Sequence, residues 1–193
     1  MTAPSPGCLT SRRSAEFHFA SPLLLNTPGA GARLIIVCGL PGSGKTTRAR
    51  RLETRLGAVR LAPDEWMEAL ALDLYDEAAR GRVEALQWEL ARTLLARGLT
   101  VVIEWGTWAR AERDALRLGA RALGAAAELH HLTAPPHVLL DRIRRRGRED
   151  PPIELADLLR WSEAFQAPTD EEVALFDPPA DAGLAAEQSG ADE

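Results

Sequence analysis

The stretch Leu34-Ile35-Ile36-Val37-Cys38-Gly39-Leu40-Pro41-Gly42-Ser43-Gly44-Lys45-Thr46-Thr47 decides the fold. Leu34 to Cys38 form an unbroken apolar run, which predicts a strand covered on both faces, as in a parallel sheet. The residues after it match the pattern G-x-x-x-x-G-K-[ST] at Gly39, Gly44, Lys45 and Thr46. Glycines let successive backbone N–H groups turn inward, making an anion nest at the N-terminus of the next helix. Gly39, Leu40, Pro41, Gly42, Ser43, Gly44, Lys45, Thr46 and Thr47 are therefore expected to bind the phosphates of ATP. Lys45 would reach the β and γ phosphates, and the Thr46 hydroxyl would ligate Mg²⁺.

Outward from this loop the pattern alternates. A helix is predicted from about Lys45 to Leu56, stopped by Gly57, then a short strand Val59-Arg60-Leu61. Pro63 and Asp64 open the next segment. Val83, Leu86, Leu90 and Leu94 recur at helical spacing, with Gly98 ending that helix. A third strand runs from Leu99 to Ile103, a helix from about Arg110 to Leu123, and a strand from about Glu128 to Leu132. A further helix spans about Pro136 to Arg146, and Ile153, Leu158, Trp161 and Phe165 give the last amphipathic one. Such alternation predicts an α/β fold, a three-layer P-loop NTPase of the kinase type. A mostly parallel sheet would carry helices on both faces, with ligands at the carboxyl ends of its strands.

The chain has 193 residues, suited to one α/β domain with tails. Residues 1–32 are predicted as a loose Pro/Gly-rich leader that could add an edge segment through Phe17 and Phe19. Residues 33–176 are the P-loop domain and 177–193 a disordered acidic tail. The net charge of −5 gives no overall attraction to nucleic acid or to an anionic membrane. Two cysteines, Cys8 and Cys38, cannot build a disulfide framework, and Cys38 sits in an apolar run where a buried thiol is usual. No apolar stretch approaches a membrane span, and a cytoplasmic location is expected.

Two acids stand just beyond predicted strands. Glu104 follows Val101-Val102-Ile103, the arrangement of a Walker B element that holds the Mg²⁺ shell; its plainer alternative is a cap before Trp105-Gly106. Asp64 follows the second strand, where a carboxylate would face the γ-phosphate and accept a proton from an attacking hydroxyl. Its plainer alternative is a helix N-cap. Glu65 is a weaker substitute. Arg142, Arg144, Arg145, Arg146 and Arg148 form a basic cluster ending near Gly147. Arginine suits a transferring phosphoryl group, since its fork matches phosphate oxygens and stays charged. A short arginine-rich lid delivering Arg142 or Arg146 is expected, with Glu149-Asp150-Pro151-Pro152 as a break behind it. Trp105, Trp108 and Arg113 lie beside the expected cleft, where aromatics could stack on a flat substrate and Arg113 could bind an acidic group. Core packing explains them equally well. His130 and His131 show no metal-ligand spacing. Trp66, Trp88 and Trp161 are expected in the core.

Three stretches narrow the reading: Gly39 to Thr47, Ala62-Pro63-Asp64-Glu65-Trp66-Met67, and Val101 to Trp108 with Arg113-Asp114 following. On these, residues from about 34 to 172 resemble the bacterial ATP-binding proteins of the AAA_33 type. These belong to the P-loop kinase group with polynucleotide 5′-kinases, zeta toxins and chloramphenicol phosphotransferases. The resemblance implies a general-base role for Asp64 and lid arginines within Arg142 to Arg146. Phe165-Gln166-Ala167-Pro168-Thr169-Asp170-Glu171-Glu172 is similar to the group's Phe-x-x-Pro-Thr-x-x-Glu ending, with no convincing fifth strand after it.

The resulting expectation is a kinase using ATP and Mg²⁺, moving the γ-phosphate to a hydroxyl of a small-molecule acceptor. Lys45, Asp64, Arg142 and Arg146 would be catalytic, and Thr46 and Glu104 would hold the metal. Alternatives are a polynucleotide 5′-end kinase, disfavoured by the acidic total, and a nucleotide-dependent switch acting through a protein partner. A monomer or homodimer is expected.

Overall fold

β1 (Arg33–Cys38) lies inside a four-stranded sheet and pairs in parallel with two neighbours, β3 (Thr100–Ile103) and β4 (Ala126–His131). β2 (Val59–Leu61) pairs in parallel with β3, so the order is β2-β3-β1-β4. The computed structural model describes residues 31–147 and 152–180. Helices α1 (Lys45–Leu56), α2 (Pro63–Ala69), α3 (Glu77–Ala96), α4 (Arg110–Ala122), α5 (Pro136–Arg146), α6 (Leu155–Ala164) and α7 (Asp170–Val173) complete the chain order.

Alternation along β1 builds both cores. Leu34 and Ile36 join Val101, Ile103, Ala91, Leu95, Leu116 and Ala120 on the face covered by α3 and α4. Ile35 and Val37 join Val102, Ala49 and Leu52 on the face covered by α1. Every residue from Leu34 to Cys38 is fully buried, which is why the run carries no polar residue. This is the three-layer α/β P-loop NTPase architecture. Because the strands are parallel, the loops after β1, β2 and β3 open at one rim.

Several boundaries match the local signals closely. α1 ends at Gly57 and α5 at Gly147, both left-handed C-caps (φ 58° and 61°). The inward face of α3 differs from the expected leucine stripe. Ala79, Val83, Gln87, Ala91 and Leu95 are buried, while Leu86 and Leu90 face outward. Ala91 packs against the sheet-side core, and Gln87 is drawn in because its Oε1 accepts a hydrogen bond from buried Trp105 Nε1 at 2.9 Å. A polar residue with a buried partner and a small residue outrank leucines as the contact face. Trp66 and Trp88 are half-buried against the same core.

No fifth strand follows α7 among the described residues. Instead Asp177, placed in the tail by composition, borders β4. Its N–H donates to Ala127 O and its Oδ2 accepts from Ala127 N, each at 2.7 Å. Ala180 N donates to Glu128 Oε1 at 2.7 Å. The leader to residue 30, with Phe17 and Phe19, lies outside the described residues. So do residues 148–151, with Arg148, and the tail from residue 181. No helix among the described residues is long and apolar enough to cross a membrane.

Candidate active site

The loop after β1 has the backbone of a phosphate cradle. Gly39, Gly42 and Gly44 take φ of 145°, 79° and 98°. A Cβ on Gly39 would lie 2.3 Å from Leu132 O, and one on Gly42 2.7 Å from Leu139 O. β4's exit and α5 therefore press directly on the loop, which only glycine permits. Lys45 opens α1 and folds back, donating to Gly39 O at 2.8 Å and Leu40 O at 3.1 Å. Burial lowers its pKa to about 8, against the upward pull of Asp64 and Glu104. Thr46 and Thr47 occupy the exposed first turn of α1, and Ser43 Oγ is buried with no hydrogen-bond partner among the described residues.

Lys45, Asp64 and Glu104 line one cleft of about 940 Å³ that runs from Pro41 between α3 and α4. Glu104, at the end of β3, has a side chain only 7% exposed. Its Oε1 accepts from Arg60 Nη1 at 3.0 Å, and its Oε2 has no hydrogen-bond partner among the described residues. Burial raises its pKa despite Arg60 and Lys45. A buried carboxylate with one oxygen held and the other unpaired, beside a phosphate cradle, fits an Mg²⁺ shell. The cap alternative for Glu104 has no support in its contacts.

Arg60 was not among the expected site residues. It sits on β2, its side chain 9% exposed, and bonds Glu53 Oε2 at 3.1 Å, Glu65 Oε2 at 2.6 Å and Glu104. Burial alone would lower its pKa; the bond to Glu65 and the charge of Glu104 hold it above the ordinary value. An arginine between Val59 and Leu61 in a strand next to a buried acid was the available signal. Glu65 is committed to Arg60 and to Arg50 at 2.8 Å, so its substitute role for Asp64 finds no support in these contacts.

Asp64 is in the first turn of α2, whose N-cap is Ala62 with no side-chain cap bond. The N-cap alternative for Asp64 is thereby removed. Its Oδ1 accepts from Arg80 Nη2 at 2.7 Å while most of the side chain stays open to the cleft. From α5, Arg142 Nη1 comes to 3.4 Å from Gly42 O of the phosphate loop, and the charge of Arg146 acts on Lys45. Arg145 instead pairs along its own helix with Asp141 at 3.0 Å.

Arg113 does bind an acid, but an internal one. It is fully buried and grips both oxygens of Glu172, while donating to Thr107 O at 3.0 Å and Gln166 O at 2.7 Å. The Phe165 ring lies 5.9 Å from its guanidinium carbon, and Thr169 caps α7 by accepting from Glu172 N. The Phe-x-x-Pro-Thr-x-x-Glu stretch is thus a clamp on the segment after β3. That segment, Trp105 to Trp108, forms the cleft wall. His130 lies between Arg48 and Glu128, and His131 stacks on Phe165. Among the described residues no group of three or more His, Cys, Asp or Glu could hold a metal by themselves.

Residues 34–168 match the family model described as AAA domain, AAA_33. The chain belongs to the AAA_33 family. It is a P-loop protein of the kinase group, and nucleotide binding is implied by that fold. A structure of a sugar kinase from Janibacter sp. HTCC2649 is similar at 25% identity and TM-score 0.52. The match covers 72% of this chain and 81% of that one. Chaetomium thermophilum Kti12 in complex with ADP-AlF3 is similar at 18% identity and TM-score 0.60, over 80% and 94%. A chain of the Pnkp1/Rnl/Hen1 RNA repair complex is similar at 20% identity and TM-score 0.61. That match spans 72% of this AAA_33 protein but only 45% of the other chain. The last two likenesses concern the fold. No curated protein matches.

Proposed function

We propose that this AAA_33 protein is an ATP-dependent phosphotransferase that phosphorylates a hydroxyl of a small-molecule acceptor. One observation carries the reading: Lys45, Asp64 and Glu104 line the same cleft, which continues from the phosphate loop into a chamber walled by Tyr75, Trp88, Trp105 and Trp108. A bare ATPase or switch has no need of such a chamber. The similarity to a sugar kinase supports the same direction.

In this reading the loop amides and Lys45 hold the β and γ phosphates, so that the γ-phosphorus faces the chamber. Thr46 and Glu104 would hold Mg²⁺, which when bound would supply positive charge to the β and γ oxygens. Asp64 accepts the proton of the acceptor hydroxyl as its oxygen bonds to the γ-phosphorus. The bond from that phosphorus to the β–γ bridging oxygen breaks, and ADP leaves with the pair. Arg142 and Arg146 meet the charge that develops on the transferring group. Arg80 orients Asp64 through the 2.7 Å bond.

The test is a transfer assay with γ-labelled ATP against hydroxylated metabolites and a short 5′-hydroxyl RNA. Label on a small molecule, dependent on Mg²⁺, is the expected result. Label on the RNA alone would favour polynucleotide kinase activity, the reading that the RNA repair likeness raises. ATP loss with no labelled acceptor would leave the switch.

A further inference from the structure

We propose that the acceptor is a hydroxylated amine, held by its ammonium group in the arm of the cleft lined by Glu84 and Glu112 and by its neighbouring hydroxyls at Thr107. This rests on the phosphotransferase reading and names its substrate class.

The cleft is charged unevenly. Asp64, Glu77, Glu84, Glu104 and Glu112 line it, against Lys45 and Arg80. Lys45 belongs to the phosphate loop, and Arg80 is already bonded to Asp64 and to Leu74 O at 3.2 Å. Glu84 has Arg80 only at 4.0 Å, while burial, with Glu112 and Asp64 adding like charge, raises its pKa. Glu112 uses one oxygen to accept from Ala109 N at 3.1 Å. This arm therefore holds carboxylates with too little positive charge beside them, which favours a cation and disfavours an acid or phosphate.

Two independent features mark the arm as a binding chamber and not a solvated acidic face. Thr107 is only 6% exposed, lines the cleft from a left-handed backbone (φ 38°), and its Oγ1 has no hydrogen-bond partner among the described residues. Such strain at a non-glycine residue persists where surroundings enforce it, here through Arg113 on Thr107 O. Second, Tyr75, Trp88 and Trp108 line the same cleft, and aromatic rings attract ammonium groups. Carboxylates with aromatic walls recognise a protonated amine; a neutral polyol would need donors and acceptors in balance instead.

The experiment compares matched sets of amino sugars or amino alcohols, each with its neutral hydroxy and its carboxylate counterpart. Binding is read by tryptophan fluorescence with a non-hydrolysable ATP analogue, and transfer by ADP release. The amine members should be preferred at least about tenfold over neutral ones, with carboxylates weakest. Glu84→Gln with Glu112→Gln should bring that preference to about one, with nucleotide affinity reporting that the fold is intact. Equal or reversed preference in the wild type overturns the amine assignment and leaves the kinase reading standing. Amines that bind, lose their preference in the double variant and yet never receive phosphate would uphold the amine site and sink the kinase reading. Absence of binding by every member overturns the amine site.

Discussion

Arg113 and Glu172, separated by 59 positions, meet in the interior as a two-pronged ion pair, Nε to Oε1 at 2.6 Å and Nη2 to Oε2 at 2.9 Å. Neither side chain is more than 1% exposed. Removing one partner leaves the other charge buried alone, so Arg113→Met should lose about 3–5 kcal/mol in urea unfolding. Replacing both residues with apolar ones should recover much of that loss. A single variant within about 1 kcal/mol of wild type would show that the pair is not desolvated as described.

Lys45 Nζ donates to two carbonyls of its own loop, Gly39 O and Leu40 O, so its ammonium stands at the phosphate cradle. Lys45→Met should weaken ATP binding by about 100-fold or more, since the charge-assisted bonds proposed for the β and γ phosphates would be lost. Calorimetric titration checks this, with thermal unfolding to confirm a native fold. Unchanged affinity would remove Lys45 from the phosphate site.

Asp64 is open to the cleft and, among the described residues, its side chain bonds Arg80. Asp64→Asn keeps the shape and removes the proposed base. Transfer should fall by about 10²- to 10⁴-fold while ATP affinity changes by less than about twofold. Full transfer to an identified acceptor in this variant would assign the base elsewhere.

Gly119 lets α4 approach α3, because a Cβ there would lie 2.5 Å from Trp88 Cζ2. Gly119→Ala improves helix propensity by about 1 kcal/mol but must displace the indole that walls the chamber. The expected result is a higher acceptor KM, a shifted tryptophan emission and an unaltered ATP KM. If acceptor KM is unmoved, Trp88 is a core residue without contact to substrate.

His131 is held below its ordinary pKa of 6.5 first by burial and then by the charge of Arg113, against Glu172. Below pH 6.5 the unfolded chain takes up a proton that the folded ring resists. Stability from this group is therefore present above pH 6.5 and is lost as pH falls below it. His131→Asn should flatten the decline in stability as pH falls below 6.5, measured by denaturant midpoints at several pH values. A parallel decline in the variant would show that His131 does not contribute to it.

Local signals carried most of the element boundaries. Gly57 and Gly147 end α1 and α5 because a left-handed cap is a property of the residue itself. The buried faces of β1 were equally plain, since an all-apolar run has no solvent side. The α3 face was not legible. Leu86 and Leu90 fit the helical period, yet Gln87 and Ala91 face inward because Trp105 supplies a buried partner and the sheet lies close.

The sequence alone determined that a phosphate loop stands between a buried strand and a helix, since contiguous residues build that cradle from their own backbone. It also placed Asp64 and Glu104 at strand ends, which parallel topology carries to one rim. Tertiary structure alone decided that Arg113 serves Glu172, that Arg60 steadies Glu104, and that the cleft is rich in carboxylates and aromatic side chains. The physical reason is that a charge's role depends on its neighbours and its access to water. Both are set by contacts between residues far apart in the chain.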